Sequence, residues 1–312
     1  MRVSSSSFSN SLLNQLGQIS ARQTRLQNQA ATGQRIAAPE DDPSAIARVL
    51  SLQAEDKTVA SYQSNIGLLQ GRANDSFQAM HAVKTKSDRA GEIATLAVDP
   101  LKSTEDLQGL ASEVSGMIQD IADSMNHQSG GDYLFGGTKT DQPPFVVTLD
   151  ANKMVTSVTY QGNATVPDCQ VSEDSDLAVT VPGANDTGSG PRGFITDTRV
   201  GADFFNHLIS LQNHLQAGDK AAIAATDAPA LAKDEDNIIF NLAGNGAVQN
   251  RLTAASQLAQ TRSTSLNGLV SQETDADLAQ TMVQLNQTQL AYQAALQTGA
   301  TIMNQSLLNY LR

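Results

Sequence analysis

All nine prolines of the 312-residue chain lie between Pro39 and Pro229, which leaves 38 residues at the front and 83 at the back without one. Proline removes a helical hydrogen bond and clashes with the preceding turn, so both ends are free to be continuous helix. Each end also carries a seam. At the front, Leu12, Leu16, Ile19, Leu26, Ala30 and Gly33 recur with Gln23 in the one polar slot. At the back the rhythm runs Leu278, Met282, Leu285, Gln289, Tyr292, Leu296, Gly299, Met303, Ser306 and Tyr310. Steps alternating four and three are those of a coiled coil, so the two ends are expected to pair.

Charge sets the ends apart from everything between them. Residues 278–311 contain no Asp, Glu, Lys or Arg, and residues 1–33 contain only Arg2, Arg22 and Arg25. Sixteen of the 20 basic residues therefore face all 32 acids within positions 34–277, a net charge of -16 there. A solvated helix face normally carries charge. Here the outward faces, Gln287 among them, are Gln, Asn, Ser, Thr and Ala, which bond laterally without the desolvation cost of ions. Such faces suit packing against copies of the same chain, with a solvated polar coiled coil as the plainer alternative.

Composition narrows the function classes. Aromatic residues make up 4% and tryptophan is absent, so burial rests on aliphatic side chains along extended seams, which suits helix bundles. A net charge of -12 repels nucleic acid and anionic lipid. A single cysteine, Cys169, excludes an internal disulfide, and no Cys/His cluster suggests a metal. No signal-peptide core or membrane-length apolar run is apparent, so the chain is expected to be soluble, without a cleaved signal or membrane insertion.

The middle reads as helices, strands, then helices. Residues 34–42 form a loop closed by Asp42 and Pro43, an N-cap followed by a residue preorganised for the first helical turn. The helix this starts can run to about Val98, along a seam that includes Leu52, Val59, Ile66, Leu69, Met80 and Ala94. At 1.5 Å per residue it would span roughly 80 Å, which implies a rod. A second helix follows Ser103 and Thr104 and is expected to stop at Gly130-Gly131. From Thr138 to about Asp197, short alternating segments between turn signals predict a small β-rich insertion. A helix through Phe204 and Leu215 ends at Gly218, and another begins near Ala228-Pro229. The expected fold is mainly α: an elongated helical hairpin or coiled-coil rod with a small β-rich insertion domain.

No catalytic constellation emerges, and no cofactor is implied. His81, His127, His207 and His214 include one pair seven apart on a helical face, too far to share an ion without further ligands. Gly130, Gly131, Gly136 and Gly137 lack the Lys-Ser/Thr of a phosphate loop and are read as turn residues. Asp234-Glu235-Asp236 is read as a solvated face.

The order Gly33, Arg35, Ile36, Pro39, Asp41, Asp42, Pro43 resembles the G-x-R-I-x-x-x-x-D-D-P loop of the flagellin family. The closing SLLNYLR, with Leu307 and Tyr310, and the upstream Gln293–Leu296 resemble that family's C-terminal helix. Arg89 and Glu92, three apart, resemble its R-x-x-E-L region, which packs between neighbouring subunits. MRVSSSS, Tyr133–Thr138 (YLFGGT), Pro143-Pro144-Phe145 and the Leu-Leu-Asn-Tyr-Leu tail are closer to the family member at the hook–filament junction than to filament flagellin. The resemblance implies a non-enzymatic structural subunit that forms a ring of copies and adapts hook to filament. Filament flagellin and, more distantly, a secreted coiled-coil adhesin are the alternatives. It further implies that 1–40 with 278–312 form an inner tube layer, 41–137 with 198–277 a helical rod, and 138–197 an outward β insertion. Implied partners are an adjacent hook-associated protein, flagellin, a cytoplasmic chaperone and the flagellar type III export apparatus, and the implied location is the extracellular flagellum.

Overall fold

The computed structural model describes the backbone of residues 3–36 and 38–310 and the side chains of residues 10–36 and 38–301. Helix α1 (Val3–Thr32) stops at Gly33, whose φ of 72° takes the left-handed conformation that favours glycine. Helix α2 (Pro43–Ala97) starts as its sequence dictates: Asp42 Oδ1 accepts the Ala45 N–H at 3.0 Å, and Pro43 fills the first helical position. Val59, Ile66, Leu69, Met80 and Ala94 of its expected seam are buried. Helix α3 (Thr104–Met125) opens with a capping box between Ser103 and Asp106.

That helix ends at Met125, earlier than expected, because the Asn126 amide turns aside to bond both backbone groups of Phe145. Gly130-Gly131 is instead the turn of a hairpin between β1 (Gln128–Ser129) and β2 (Asp132–Tyr133), both glycines having positive φ. Antiparallel hairpins β3 (Phe145–Leu149)/β4 (Val155–Tyr160) and β5 (Cys169–Ser172)/β6 (Ser175–Leu177) follow. Then β7 (Ala184–Asn185) pairs parallel to β8 (Thr196–Asp197), which pairs antiparallel to β9 (Ala202–Asp203). The strand-rich region thus starts ten residues earlier and ends six later than its pattern suggested.

Helix α4 (Phe204–Ala217) ends at Gly218, φ 71°. The next helix begins before Ala228: α5 (Lys220–Ala222), capped by Asp219, passes through a π turn at Ile223–Asp227 into α6 (Ala228–Thr274). The reason is Pro229. Its ring would meet the carbonyl four residues back, and the wide turn, with Ala228 N–H bonded to Ile223 O, lets the helix continue through it. Helix α7 (Leu278–Tyr310) completes the chain.

The molecule is mainly helical with a small β-rich region, and it divides into two compact units, residues 1–58 with 261–312, and 59–260. The division falls inside α2 and α6. In the second unit, α3 and α4 pack together, and the few aromatics concentrate: Phe145 lies 5.1 Å from Tyr160 and 5.2 Å from Phe205, centroid to centroid. Two buried side chains clip β4 to these helices. Ser115 Oγ accepts the Val155 N–H at 3.0 Å, and Gln212 Nε2 donates to the Val155 carbonyl at 3.0 Å. In the first unit the buried apolar residues are few, among them Leu26, Ile36, Ala45, Val49 and Leu266.

Candidate assembly interface

The G-x-R-I-x-x-x-x-D-D-P stretch forms a turn that lies against the turn between α6 and α7. Arg35 N–H donates to Thr274 O at 2.6 Å, and Ala276 N–H donates to Gly33 O at 2.8 Å. The Arg35 guanidinium donates to Glu273 O at 2.6 Å and lies 3.5 Å from Asp42. Arg48 holds the Glu273 carboxylate with two hydrogen bonds, 2.9 and 2.8 Å, the fork geometry that arginine supplies best. Asp41 accepts from Arg25 at 2.8 Å and from Ala38 N–H at 3.0 Å, which fixes the loop. Ile36 is buried beneath this charged surface. Donation from the Ala45 amide, then Ser44 and Arg35, holds the Asp42 carboxyl below its usual range, and Arg48 does the same for Glu273.

Beyond the turns, α1 and α7 pack along a seam. All seven front positions, from Leu12 through Leu16, Ile19, Gln23, Leu26 and Ala30 to Gly33, are buried or half-buried, as their spacing predicted. The back seam keeps the expected rhythm at Leu285, Gln289, Tyr292 and Gly299 and departs from it elsewhere. Its other buried or half-buried positions are Thr281, Gln284, Thr288 and Ala295. Gly299 is there for space, since a Cβ would sit 2.7 Å from Leu12 Cδ2. Leu278, Met282 and Leu296, expected to grip α1, are instead 50%, 53% and 46% exposed. Small residues allow the close approach, and Thr288 satisfies its hydroxyl on Gln284 O of its own helix. Leu285 and Tyr292 stay within the seam, and Gln287 is exposed. The side chains of Met303, Leu307 and Tyr310 lie outside the described residues.

The outward side of α7 is consequently apolar and uncharged at once, with Val283 and Leu290 56% and 66% exposed. Arg89 and Glu92 do pair, at 2.9 Å, but the guanidinium's main partner is Glu113 of α3, with contacts of 2.7 and 3.2 Å. Sequence reading missed Glu113, Arg48, Glu273, Thr281 and Thr288. A pair 225 residues apart leaves no local trace, and threonine at a seam position looks like surface. Among the described residues no group of three or more His, Cys, Asp or Glu is placed to hold a metal ion, and no helix is long and apolar enough to cross a membrane.

Residues 3–140 match the bacterial flagellin N-terminal helical region. Flagellar hook-associated protein 3 of Escherichia coli (strain K12) is 23% identical over 280 residues, 86% of each chain. The same protein of Salmonella typhimurium (strain LT2) is 25% identical over 146 residues, and that match spans only 46% of either chain. The solved structure of the flagellar junction protein FlgL from Legionella pneumophila superposes with a TM-score of 0.55 at 15% identity, covering 73% of this chain and all of that one; it shows a shared fold. Over residues 3–140 the chain is similar to the flagellin family. Its particular resemblance is to flagellar hook-associated protein 3.

Proposed function

We propose that the chain is a structural subunit of the bacterial flagellum that polymerises at the hook–filament junction and adapts one to the other. The observation that carries this reading is the outward face of α7, where Leu278, Met282, Val283, Leu290 and Leu296 are exposed on a helix with no charge. Exposed apolar side chains without flanking charge favour cover by another protein surface over water. Copies of the same helix supply one, and Gln, Asn and Thr between the apolar residues add lateral hydrogen bonds. The resemblance to hook-associated relatives supports the junction as the place of assembly, with a hook-associated protein on one side and flagellin on the other. A cytoplasmic chaperone and the type III export apparatus complete the proposed partners, and function resides in surfaces, not in catalysis.

Labelling the protein in intact flagella tests the reading. A single band at the distal end of the hook is expected; label along the whole filament would overturn the junction in favour of a filament subunit. Gln287→Glu tests the lateral face separately. The exposed substitution should leave the monomer intact but repeat a like charge between copies, giving hooks without stable filaments. Normal swimming by that variant would remove the lateral contact.

A further inference from the structure

Two histidines of α4 each face a buried aspartate on the helix that follows. His207 Nδ1 lies 2.7 Å from Asp234 Oδ2, and His214 Nδ1 lies 2.7 Å from Asp227 Oδ2. Both spacings are seven residues, so the pairs repeat two turns apart along the packed helices. Each carboxylate has one further donor, and it is neutral: the Asp203 N–H at 2.8 Å for Asp234, and the Ser210 hydroxyl at 2.8 Å for Asp227. The aspartate side chains are 0% and 1% exposed. A buried carboxylate is tolerated only when paired or hydrogen-bonded, and among the described residues an imidazole is the one group able to carry positive charge that touches each of these.

We propose that His207 and Asp234 form a proton-operated latch that holds α4 against α6 while the imidazole is charged, with the His214–Asp227 contact lying two turns along the same packed helices. Loss of the proton leaves a buried negative charge with neutral donors alone, and the contact loosens. The surroundings favour this. The carboxylates of Asp234, Asp203 and Asp227 all act on His207 and raise its pKa, the hydrogen bond to Asp234 most of all. From α3, the face turned to the core carries Val114, Ile118 and Ile121 and no ionisable group. From β4 comes Tyr160, kept neutral by burial that pushes it up to about 12. Lys220 of α5 is spent on the carbonyls of Asp99 and Lys102, and Lys84 of α2 on Asp88 and on Glu235, the neighbour of Asp234. A group whose folded pKa is raised stabilises the fold below its unfolded value, here 6.5, and loses that contribution as pH rises through the folded value.

Titrating the histidine ring resonances of the full chain between about pH 5 and about pH 9, alongside amide exchange in α4, tests the latch. His207 should titrate above 6.5, and α4 protection should fall by up to about tenfold per pH unit between 6.5 and that midpoint and level off above it. Asp234→Asn should return the midpoint toward 6.5 and flatten the profile, and His207→Gln should be flat and weakly protected at every pH. Protection of wild-type α4 that ignores pH, or an unchanged slope in Asp234→Asn, would overturn the proposal. If neither variant folds, the wild-type ring decides: a His207 midpoint at or below 6.5 refutes it.

Discussion

Leu26 and Leu296 occupy equivalent places in the sequence rhythm, yet the structure buries one and leaves the other half in water. Leu26 is 4% exposed and Leu296 is 46% exposed. Truncation to alanine removes three carbons, worth about 2.4 kcal/mol of transfer free energy when fully buried. A partly unfilled cavity raises the cost of Leu26→Ala to about 3 kcal/mol, while the half-exposed Leu296→Ala should cost about 1 kcal/mol. Amide exchange of the full chain separates them. Protection across residues 21–33 should drop about a hundredfold in Leu26→Ala and less than about tenfold in Leu296→Ala. Assembly should invert the order of concern, because Leu296→Ala removes outward apolar surface from a monomer that remains folded. Equal loss of protection in the two variants would show that the seam of α7 runs through Leu296 after all, and the exposed-face reading would fail with it.

Ser115→Ala should destabilise the second unit by about 1–3 kcal/mol, since it orphans the buried Val155 N–H, and urea unfolding with exchange at β4 would reveal it. Gly193→Ala should be worse, at about 3 kcal/mol or more, because its Cβ would lie 2.1 Å from Thr196 O and 2.5 Å from Asn185 N, both backbone atoms; a wild-type unfolding midpoint would contradict the packing described here. Asp42 and Glu273 have lowered pKa values, so their contribution is present above the ordinary values of 3.8 and 4.5 and is lost as pH falls through the folded ones. Exchange at residues 33–36 and 274–276 should therefore accelerate in acid before the rest of the first unit opens, and uniform acid sensitivity across that unit would count against the turn cluster as a pin.

What the sequence made legible follows from range. Caps and breaks are local, so Asp42-Pro43, Ser103, Gly33 and Gly218 mark element ends directly. The front seam was legible because its apolar residues have no rival stripe. The back seam was legible in part: Leu285, Gln289, Tyr292 and Gly299 fall in it as their spacing predicted, whereas Thr281, Thr288 and Ala295 are covered in place of Leu278, Met282 and Leu296. Shape contributes, since Leu12 lies where a Cβ on Gly299 would sit. The helix start at Lys220 was hidden by Pro229, which ordinarily marks a first turn and here follows a widened one. The turn cluster was half legible, as a motif, whereas Arg48 and Glu273 meet only once the chain has folded back on itself.

Every ion pair described for α1 lies at its turn end, with Arg25, and none involves α7. Among the described residues between the turns and the far ends, the two helices meet through the side chains of the seam, with no ion pair between them. An electrostatic pin resists axial displacement in both directions, whereas a seam in which Thr281, Thr288, Ala295 and Gly299 share the contact with Leu285 and Tyr292 has no charged rung to fix its register. The terminal helix pair is in this sense anchored at one end and compliant along its length. A single charged rung midway along the seam would be enough to lock the pair in one register.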